Sequence, residues 1–387
     1  MKKKLLSIFT AVVLTVSMAA CGKGSGADNV DKDKSKSVGE EVTLSVMVTT
    51  RPTTDAKDFY LDWLPELVKE KYPNINIEVE QLPTDQYKQT VRLKFASGQG
   101  PDIFTWWPGL QAQDLVEAGY VRDMSDFSLL EKFNSDIASS YEFDGKTYAI
   151  PLGSSFLTTW YNKDMFEDAG ITELPENWDE FLDCCEKLKS AGYTPIATGD
   201  KQSFVIQFGM YQIGASQIYA DNPEFDDQLF TGETKFTDEC WEETVSKFEE
   251  LYENGYVIEN SLGLSQEQSR QAYLDGKAAM TFDGSFGYDA LNKDGAASFE
   301  KGMFALPSNE PGEELVYNLT PSNGLFVSAD SEKQEAINQV LEYWFTEGTP
   351  LFEKWTTTTS DISCYEGVTD SRELIKEYLA NFFSRLI

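Results

Sequence analysis

The stretch YAIPLGSSFLTTWYNKDMFEDAGI, residues 148–171, holds two predicted strands followed directly by a helix. Residues 147–151 and 158–161 are rich in β-branched and aromatic side chains, which favour strands. Asn162 follows the second strand and can cap a helix, which we expect to end at Gly170. A succession of strands and helices at this spacing indicates an α/β architecture.

The same alternation continues on both sides of this stretch. Toward the N-terminus, the sequence predicts strands at 42–46, 75–79 and 101–105 and helices at 58–71, 85–97 and 111–118. Toward the C-terminus, it predicts helices at 177–192, 239–254 and 265–275 and a strand at 278–282. Pro65 is expected to break or restart the first of these helices. At 387 residues, the chain is long enough for two domains of ordinary size.

The composition excludes several classes of partner and of catalytic or metal site. Acidic residues number 65 against 32 Lys plus Arg, which gives a net charge of −33. Nucleic acids and anionic lipids both bind positive charge, so neither is expected as a partner. The sequence contains no His, which excludes Ser-His-Asp triads, Cys-His dyads and His-based metal sites. These properties suit a protein that handles a neutral ligand without a cofactor.

The N-terminus indicates export. Three lysines at 2–4 precede a short apolar run at 5–16, which is typical of a signal peptide and too short for a stable transmembrane helix. The small residues before Cys21 resemble a bacterial lipobox, with Met18 in place of the more usual Leu. This resemblance implies that residues 1–20 are removed and that Cys21 is lipidated. An ordinary signal peptide followed by an unrelated Cys is the alternative.

The next segment, residues 21–40, is rich in Gly, Ser, Lys and Asp and has too few apolar residues to fold, so we interpret it as a flexible tether. Four further cysteines follow in the body of the chain: Cys184, Cys185, Cys240 and Cys364. None forms a CxxC pair, so neither a zinc site nor a thioredoxin-like motif is indicated. We expect small buried side chains at these positions, with a disulfide among them as the open alternative.

Five segments, taken in their order and spacing, resemble the extracellular solute-binding proteins of carbohydrate ABC importers. They are GQGPDIFTWW at 98–107, the stretch at 148–171, NWDEFLDCCEKLKSAGYTPIA at 177–197, YLDGKAAMTFDGSF at 273–286 and NGLFVSADSEKQEAINQVLEYWF at 323–345. The resemblance extends over about residues 41–346, nearly the whole mature body. The chain departs from the family at its end, because the family continues for several tens of residues beyond the position of Val368.

The resemblance implies a two-lobed periplasmic-binding-protein-like fold of type II, with a hinge between the lobes and the ligand in the cleft. The N-terminal lobe is expected to comprise 41–150 plus 303–346, and the C-terminal lobe 151–302 plus 347–387. The chain would cross between lobes near 150–156, return near 302–306 and cross again near 346–348.

A sugar presents hydroxyl groups around its rim and CH groups on its faces, so its site needs polar side chains and aromatic platforms. Trp106 and Trp107 follow a strand directly, and Phe286 closes a turn where the family usually has Trp. The predicted ligand-binding residues are Arg51, Asp102, Trp106, Trp107, Ser154, Trp160, Asp200, Asp283, Ser285, Phe286 and Asn323. For Trp106 and Trp107 the alternative is that one of them packs in the core, and for Asp102 it is a backbone cap.

The favoured function is therefore a sugar-binding lipoprotein that is not an enzyme. Its expected partners are a carbohydrate, ABC transporter permease subunits and the membrane, reached through a lipid anchor at Cys21. We expect a monomer on the extracellular face of the cell membrane. A secreted, lipid-anchored glycoside hydrolase is the runner-up, because two carboxylates suffice for that chemistry, although no motif indicates such a pair. A structural or adhesive lipoprotein is the third alternative.

Overall fold

A computed structural model of the protein describes residues 40–50, 57–293 and 295–384. The predicted signal peptide, most of the tether, Cys21 and Arg51 lie outside the described residues. No helix within the described part of the chain combines the length and the apolar character needed to cross a membrane.

The strands are, in chain order, β1 Val42–Thr49, β2 Ile75–Leu82, β3 Ile103–Trp106, β4 Glu142–Phe143, β5 Lys146–Thr147, β6 Ala149–Pro151, β7 Ser154–Asn162, β8 Thr194–Ala197, β9 Ala278–Gly284, β10 Lys301–Phe304, β11 Leu319–Pro321 and β12 Gly324–Val327. The helices are α1 Leu64–Lys71, α2 Thr84–Ala96, α3 Leu110–Glu117, α4 Ser135–Ser139, α5 Lys163–Asp168, α6 Trp178–Ser190, α7 Ser203–Gly214, α8 Phe225–Thr231, α9 Glu239–Glu253, α10 Gln266–Leu274, α11 Tyr288–Leu291, α12 Gln334–Phe345, α13 Pro350–Thr358 and α14 Glu373–Ser384.

Two larger sheets organise these elements. The first has the order β2-β1-β3-β12-β6, in which β1 is parallel to β2 and β3 while β12 is antiparallel to β3 and β6. The second has the order β10-β7-β9-β8, with β11 paired to the first residues of β7. This mixed α/β architecture confirms the predicted fold class.

Each sheet separates two hydrophobic clusters, because successive residues of a strand point to opposite faces. In β1, Leu44, Val46 and Val48 are buried in one cluster and Met47 in another. In β7, Phe156 and Trp160 belong to one cluster, while Leu157 and Tyr161 pack against a second. Helices therefore cover both faces of each sheet, as expected for α/β layers.

Residues 152–154 and 321–323 carry the chain between the two sheets. Residues 360–362 lie against the first of these segments, and we call all three stretches the hinge segments. The Ser154 N–H donates to Ile362 O at 2.8 Å, and the Ile362 N–H donates back to Ser154 O at 2.9 Å. The Ser322 N–H donates to Gly153 O at 2.9 Å, and the Leu152 N–H to Asn323 O at 3.2 Å. The first crossing lies within the predicted range of 150–156.

The other two crossings come later in the chain than the sequence predicts. Residues 301–304 pair with Thr159–Asn162 as β10 and so belong to the second sheet, and the return occurs between Pro321 and Gly324. Helix α13 and the later residues Cys364 and Tyr365 pack in the core of the first sheet. The last crossing therefore lies between Tyr365 and α14, whose Ile375 and Tyr378 pack in the core of the second sheet. Both differences have one physical reason. A strand or an amphipathic helix has the same local pattern whichever core receives it, and only the distant partner decides.

Candidate ligand-binding site

The crossing segments bring one end of each sheet to the hinge. Trp106 pairs with Gly324, which in turn pairs with Pro151, so these three residues mark one end of the first sheet, here called the first edge. The second edge is the end of the second sheet where Leu157 pairs with Gly284 and where β7 begins. Ligands of open α/β sheets bind beyond the carboxyl ends of strands, and β1, β3 and β9 all end at these edges.

Two adjacent tryptophans at the first edge have different environments. Trp106 is 0% exposed and packs against Tyr87 and Phe104, and its indole N–H donates to Gln111 O at 2.6 Å. It is a core residue, as the alternative interpretation held. Trp107 is half-buried, with its ring 6.2 Å from that of Tyr87. Trp107 is thus the tryptophan that this edge can present to a ligand.

Lys88 and Gln111 accompany Trp107, and neither was identified from the sequence. The Lys88 ammonium lies 4.2 Å from the Trp107 ring centroid and donates to Gln111 Oε1 at 2.7 Å. Lys88 belongs to α2, which starts just after β2 ends, and Gln111 belongs to the first turn of α3. Nothing in the local sequence signals this cluster, because three separate elements contribute to it.

The second edge carries Phe286, which lies two residues after the end of β9. Phe286 is half-buried and packs against Phe208 with ring centroids 5.3 Å apart. Its neighbour Ser285 is 0% exposed, and the Ser285 hydroxyl accepts a hydrogen bond from the Phe156 N–H at 3.2 Å. Ser285 therefore fixes the turn, and Phe286 is the residue of this turn that can contact a ligand.

Asp283 supports the turn from below. Its carboxylate accepts from Arg270 Nε at 2.6 Å, from Arg270 Nη2 at 2.9 Å and from the Gly284 N–H at 2.8 Å. Both charged side chains are at least nine-tenths buried. The Asp283 carboxylate thus has a structural role in this bidentate pair, and its predicted contact with a ligand stays a prediction.

Asp102 lies at the opposite end of the first sheet, before β3 begins. It accepts hydrogen bonds from Ser45, from the Ser331 hydroxyl at 2.7 Å and from the Lys333 ammonium at 2.8 Å. Burial works against ionisation, but Lys333 and the serine donors together hold the pKa of Asp102 below its usual value. Asp102 joins the start of β3 to the loop before α12 and takes no part in the edge.

The remaining predicted residues divide between hinge and core. Ser154 and Asn323 lie in the hinge segments, 6% and 5% exposed. Asp200 follows β8, and its carboxylate accepts from the hydroxyls of Thr198 and Tyr252, both at 2.8 Å. Trp160 is 0% exposed within the second sheet and is a core residue. The structure thus brings Trp107, Phe286, Ser154 and Asn323 to the hinge region.

Neither metal nor redox chemistry is indicated by the described residues. Among them, no group of three His, Cys, Asp or Glu side chains is arranged to hold a metal ion. The four described cysteines are unpaired with one another. Burial raises the pKa of the Cys364 thiol to about 12 and that of Cys184 to about 11, which keeps both thiols protonated at neutral pH.

Comparison with known sequences identifies the family. The sequence model described as "Bacterial extracellular solute-binding protein" matches residues 58–349. The chain belongs to this family. Its relatives include the "Multiple sugar-binding protein" of Streptococcus mutans serotype c, which is 24% identical over 351 residues that cover 89% of this chain and 79% of the relative.

A second relative of this solute-binding protein is the "Galactooligosaccharide-binding protein" of Bacillus subtilis, 23% identical over 355 residues, which cover 90% of this chain and 77% of the relative. Among solved structures, a "Chitin oligosaccharide binding protein" matches with a TM-score of 0.77 and 24% identity, covering 88% of this chain and 87% of the other. The match confirms the two-lobed fold, with the two sheets described above as the cores of its lobes.

Proposed function

We propose that this solute-binding protein is the receptor subunit of an ABC importer that captures a sugar or an oligosaccharide outside the cell. The observation that carries the proposal is the pair of half-buried aromatic rings, Trp107 at the first edge and Phe286 at the second. Relatives named for binding multiple sugars and galactooligosaccharides support a carbohydrate as the ligand class.

The proposed mechanism follows from the chemistry of the sugar. The CH face of a pyranose ring packs on an aromatic ring, so a sugar held on both sides would contact both lobes at once. Such a ligand favours the closed arrangement only by the extra contacts that closure adds. The hinge segments would absorb the motion, and release would occur on docking to the permease subunits.

Several contacts favour binding over hydrolysis. A glycoside hydrolase needs two carboxyl groups about 5–10 Å apart that flank the glycosidic bond, one of them free to donate a proton. Near the second edge, Asp283 is committed to Arg270, and Asp200 accepts from two hydroxyls. These engaged carboxylates support a receptor that returns its ligand unchanged.

The anchoring part of the proposal rests on the sequence alone. Lipidation at Cys21 with the segment up to residue 40 as tether would hold a monomer at the extracellular face of the cell membrane. Detergent-phase partition of the wild type and its loss in Cys21→Ser would support the anchor. Recovery of the wild type freely in the culture medium would overturn it without affecting the proposed ligand.

A thermal-shift screen tests the ligand class. Purified protein is heated with mono- and oligosaccharides of the gluco, galacto, xylo and chitin series. A sugar present at about a hundred times its Kd should stabilise the fold by about 2.7 kcal/mol and raise the Tm. The sugar is then recovered and chromatographed. Cleavage at stoichiometric protein would favour the hydrolase alternative, and a screen in which no sugar raises the Tm would overturn the proposal.

A further inference from the structure

Lys88 lies where a sugar stacked on Trp107 would extend. Its ammonium covers the Trp107 ring at 4.2 Å from the centroid and has one uncharged acceptor, Gln111 Oε1, at 2.7 Å. An ammonium has three N–H donors. The contact with Gln111 uses one of them, so donor capacity remains for a ligand next to the aromatic platform.

Lys88 forms no ion pair with the carboxylates of the described residues, although the protein as a whole is strongly acidic. One helical turn later, Arg92 forms an ion pair with Asp114 at 2.9 Å, and Lys94 pairs with Glu80 at 2.7 Å. Within the described part of the chain, no carboxylate lies within 4.0 Å of the Lys88 ammonium. The pKa of Lys88 is lowered, mainly because burial disfavours the charged form and also because Arg92 is near, while Asp85 acts in the opposite direction.

The position of the ammonium discriminates between ligands. A neutral sugar that stacks on the covered face of Trp107 must displace the Lys88 ammonium. Such a sugar offers the displaced ammonium no anionic partner. A sugar with a carboxylate at its rim gives the displaced ammonium a partner beside the ring. Charge-assisted hydrogen bonds of this kind are about twice as strong as neutral ones.

We propose that Lys88, Trp107 and Gln111 form a subsite for an acidic sugar, a uronic acid residue within the captured oligosaccharide. The inference rests on the proposed function, because it assigns a substrate class to the same site. It adds a selectivity that the aromatic pair alone does not provide, since stacking on Trp107 and Phe286 accepts neutral and acidic sugars alike.

Matched pairs of ligands test this subsite by isothermal titration calorimetry in low salt. One pair is trigalacturonate and its methyl ester, in which each carboxylate is replaced by an uncharged ester group. The other is a xylo-oligosaccharide with and without a glucuronic acid branch. For at least one pair, the wild type should bind the acidic member about tenfold more tightly, the effect of about 1.4 kcal/mol.

Three variants locate the source of the preference. Lys88→Met should bring the ratio of acidic to neutral affinity close to one, and Lys88→Arg should keep it. Lys354→Met is the matched control, because the Lys354 ammonium covers the ring of a different tryptophan, Trp63, at 4.3 Å. It should leave the ratio unchanged. Far-UV circular dichroism and Tm establish that each variant is folded.

The outcomes separate the two proposals. If neutral sugars bind and the acidic members bind no more tightly, the acidic subsite is wrong and the sugar receptor stands. If the preference exists but survives in Lys88→Met, the subsite is also wrong. If no carbohydrate of either class binds, both proposals fail together.

Discussion

The two edges each present one half-buried aromatic ring, and the rings are supported in different ways. At the second edge, the turn that carries Phe286 is held by the buried Arg270–Asp283 pair and by the Ser285 hydroxyl. At the first edge, Trp107 lies between core aromatics and the Lys88 ammonium. At the second edge, the charges of Arg270 and Asp283 are buried and neutralise each other. At the first edge, the Lys88 ammonium can bind a ligand.

Because of this difference, we expect the charges at one edge to determine the stability of the fold and the charge at the other to determine selectivity for ligands. A buried ion pair fixes geometry but offers a ligand no net charge, because its two charges compensate each other within the protein. An uncompensated ammonium at a surface contributes little to folding and can discriminate between ligands. We therefore expect loss of the Arg270–Asp283 pair to affect folding and loss of the Lys88 ammonium to affect ligand choice.

Loss of the Arg270–Asp283 pair under the second edge should have the largest effect on stability. Arg270→Met leaves the Asp283 carboxylate buried without its partner, which should lower the free energy of unfolding by about 3–5 kcal/mol. Urea denaturation measures this loss. The matched control is the double variant Arg270→Met with Asp283→Leu, which should recover most of the stability because no buried charge remains. Equal losses in both variants would contradict a charge-based explanation.

Separating the two tryptophans of the first edge should give the next largest effect. Trp106→Ala should lower the free energy of unfolding by about 3–5 kcal/mol because it empties a core position. Trp107→Ala should leave stability nearly unchanged and weaken sugar binding by about 1–3 kcal/mol, by analogy with base–aromatic stacking. Phe286→Ala should weaken binding to a similar extent at the other edge.

Intrinsic fluorescence and titration calorimetry follow the binding of these variants. Phe230→Ala serves as the control for Phe286→Ala, since Phe230 belongs to α8 and is 41% exposed. Unchanged affinity in both Trp107→Ala and Phe286→Ala would show that the ligand binds elsewhere on this fold.

Substitution of Gly153, in the hinge segment 152–154, should affect both stability and ligand-induced closure. Its φ is +157°, and an added Cβ would lie 2.6 Å from Ile362 O and 2.8 Å from Asp361 Cβ. Gly153→Ala should cost about 1–3 kcal/mol in stability through strain. It should also reduce the compaction on ligand binding seen by small-angle X-ray scattering. Gly348→Ala is the control for backbone strain alone, because its φ is +79° with nothing within 4 Å.

The smallest effect is expected from substitution of Asp102, whose carboxylate lies far from either edge. The pKa of Asp102 is lower in the folded protein than in the unfolded chain. Its contribution to stability is therefore present above its unfolded pKa of about 4 and is lost as the pH falls through its folded value. The ion-pair part is worth about 0.5–1 kcal/mol, since the Lys333 side chain is 41% exposed. Denaturation of Asp102→Asn between pH 7 and pH 3 should show a shallower loss than the wild type.

Much of the secondary structure was predictable because its signals are local. The Asn162 side chain caps α5 by accepting from the Met165 N–H, and Pro65 lies in the first turn of α1, as expected. The sequence Asn177-Trp178-Asp179-Glu180 also predicts a capping box, in which each side chain accepts from the other residue's N–H. The structure shows half of it. Asn177 caps the Glu180 N–H at 3.0 Å, but the Glu180 carboxylate accepts from the Glu176 N–H at 2.8 Å.

The candidate site was less predictable, because burial depends on distant partners. Trp106 and Trp107 are adjacent and chemically identical, yet only Trp106 is enclosed by Tyr87 and Phe104. The local sequence around Asp283 does not distinguish it from an exposed turn carboxylate, because its partner Arg270 is brought beside it only by the fold. Lys88 gave no signal at all, since its relation to Trp107 arises only when α2 and β3 pack together.

By itself, the sequence determined the alternation of strands and helices and the resemblance to a family, because periodicity, caps and ordered motifs act over a few residues to a few tens of residues. Only the tertiary structure decided which sheet receives residues 301–304, which tryptophan reaches the surface and which carboxylates are already engaged. Those outcomes depend on hydrogen bonds and packing between segments far apart in the chain, and a local pattern is compatible with either result.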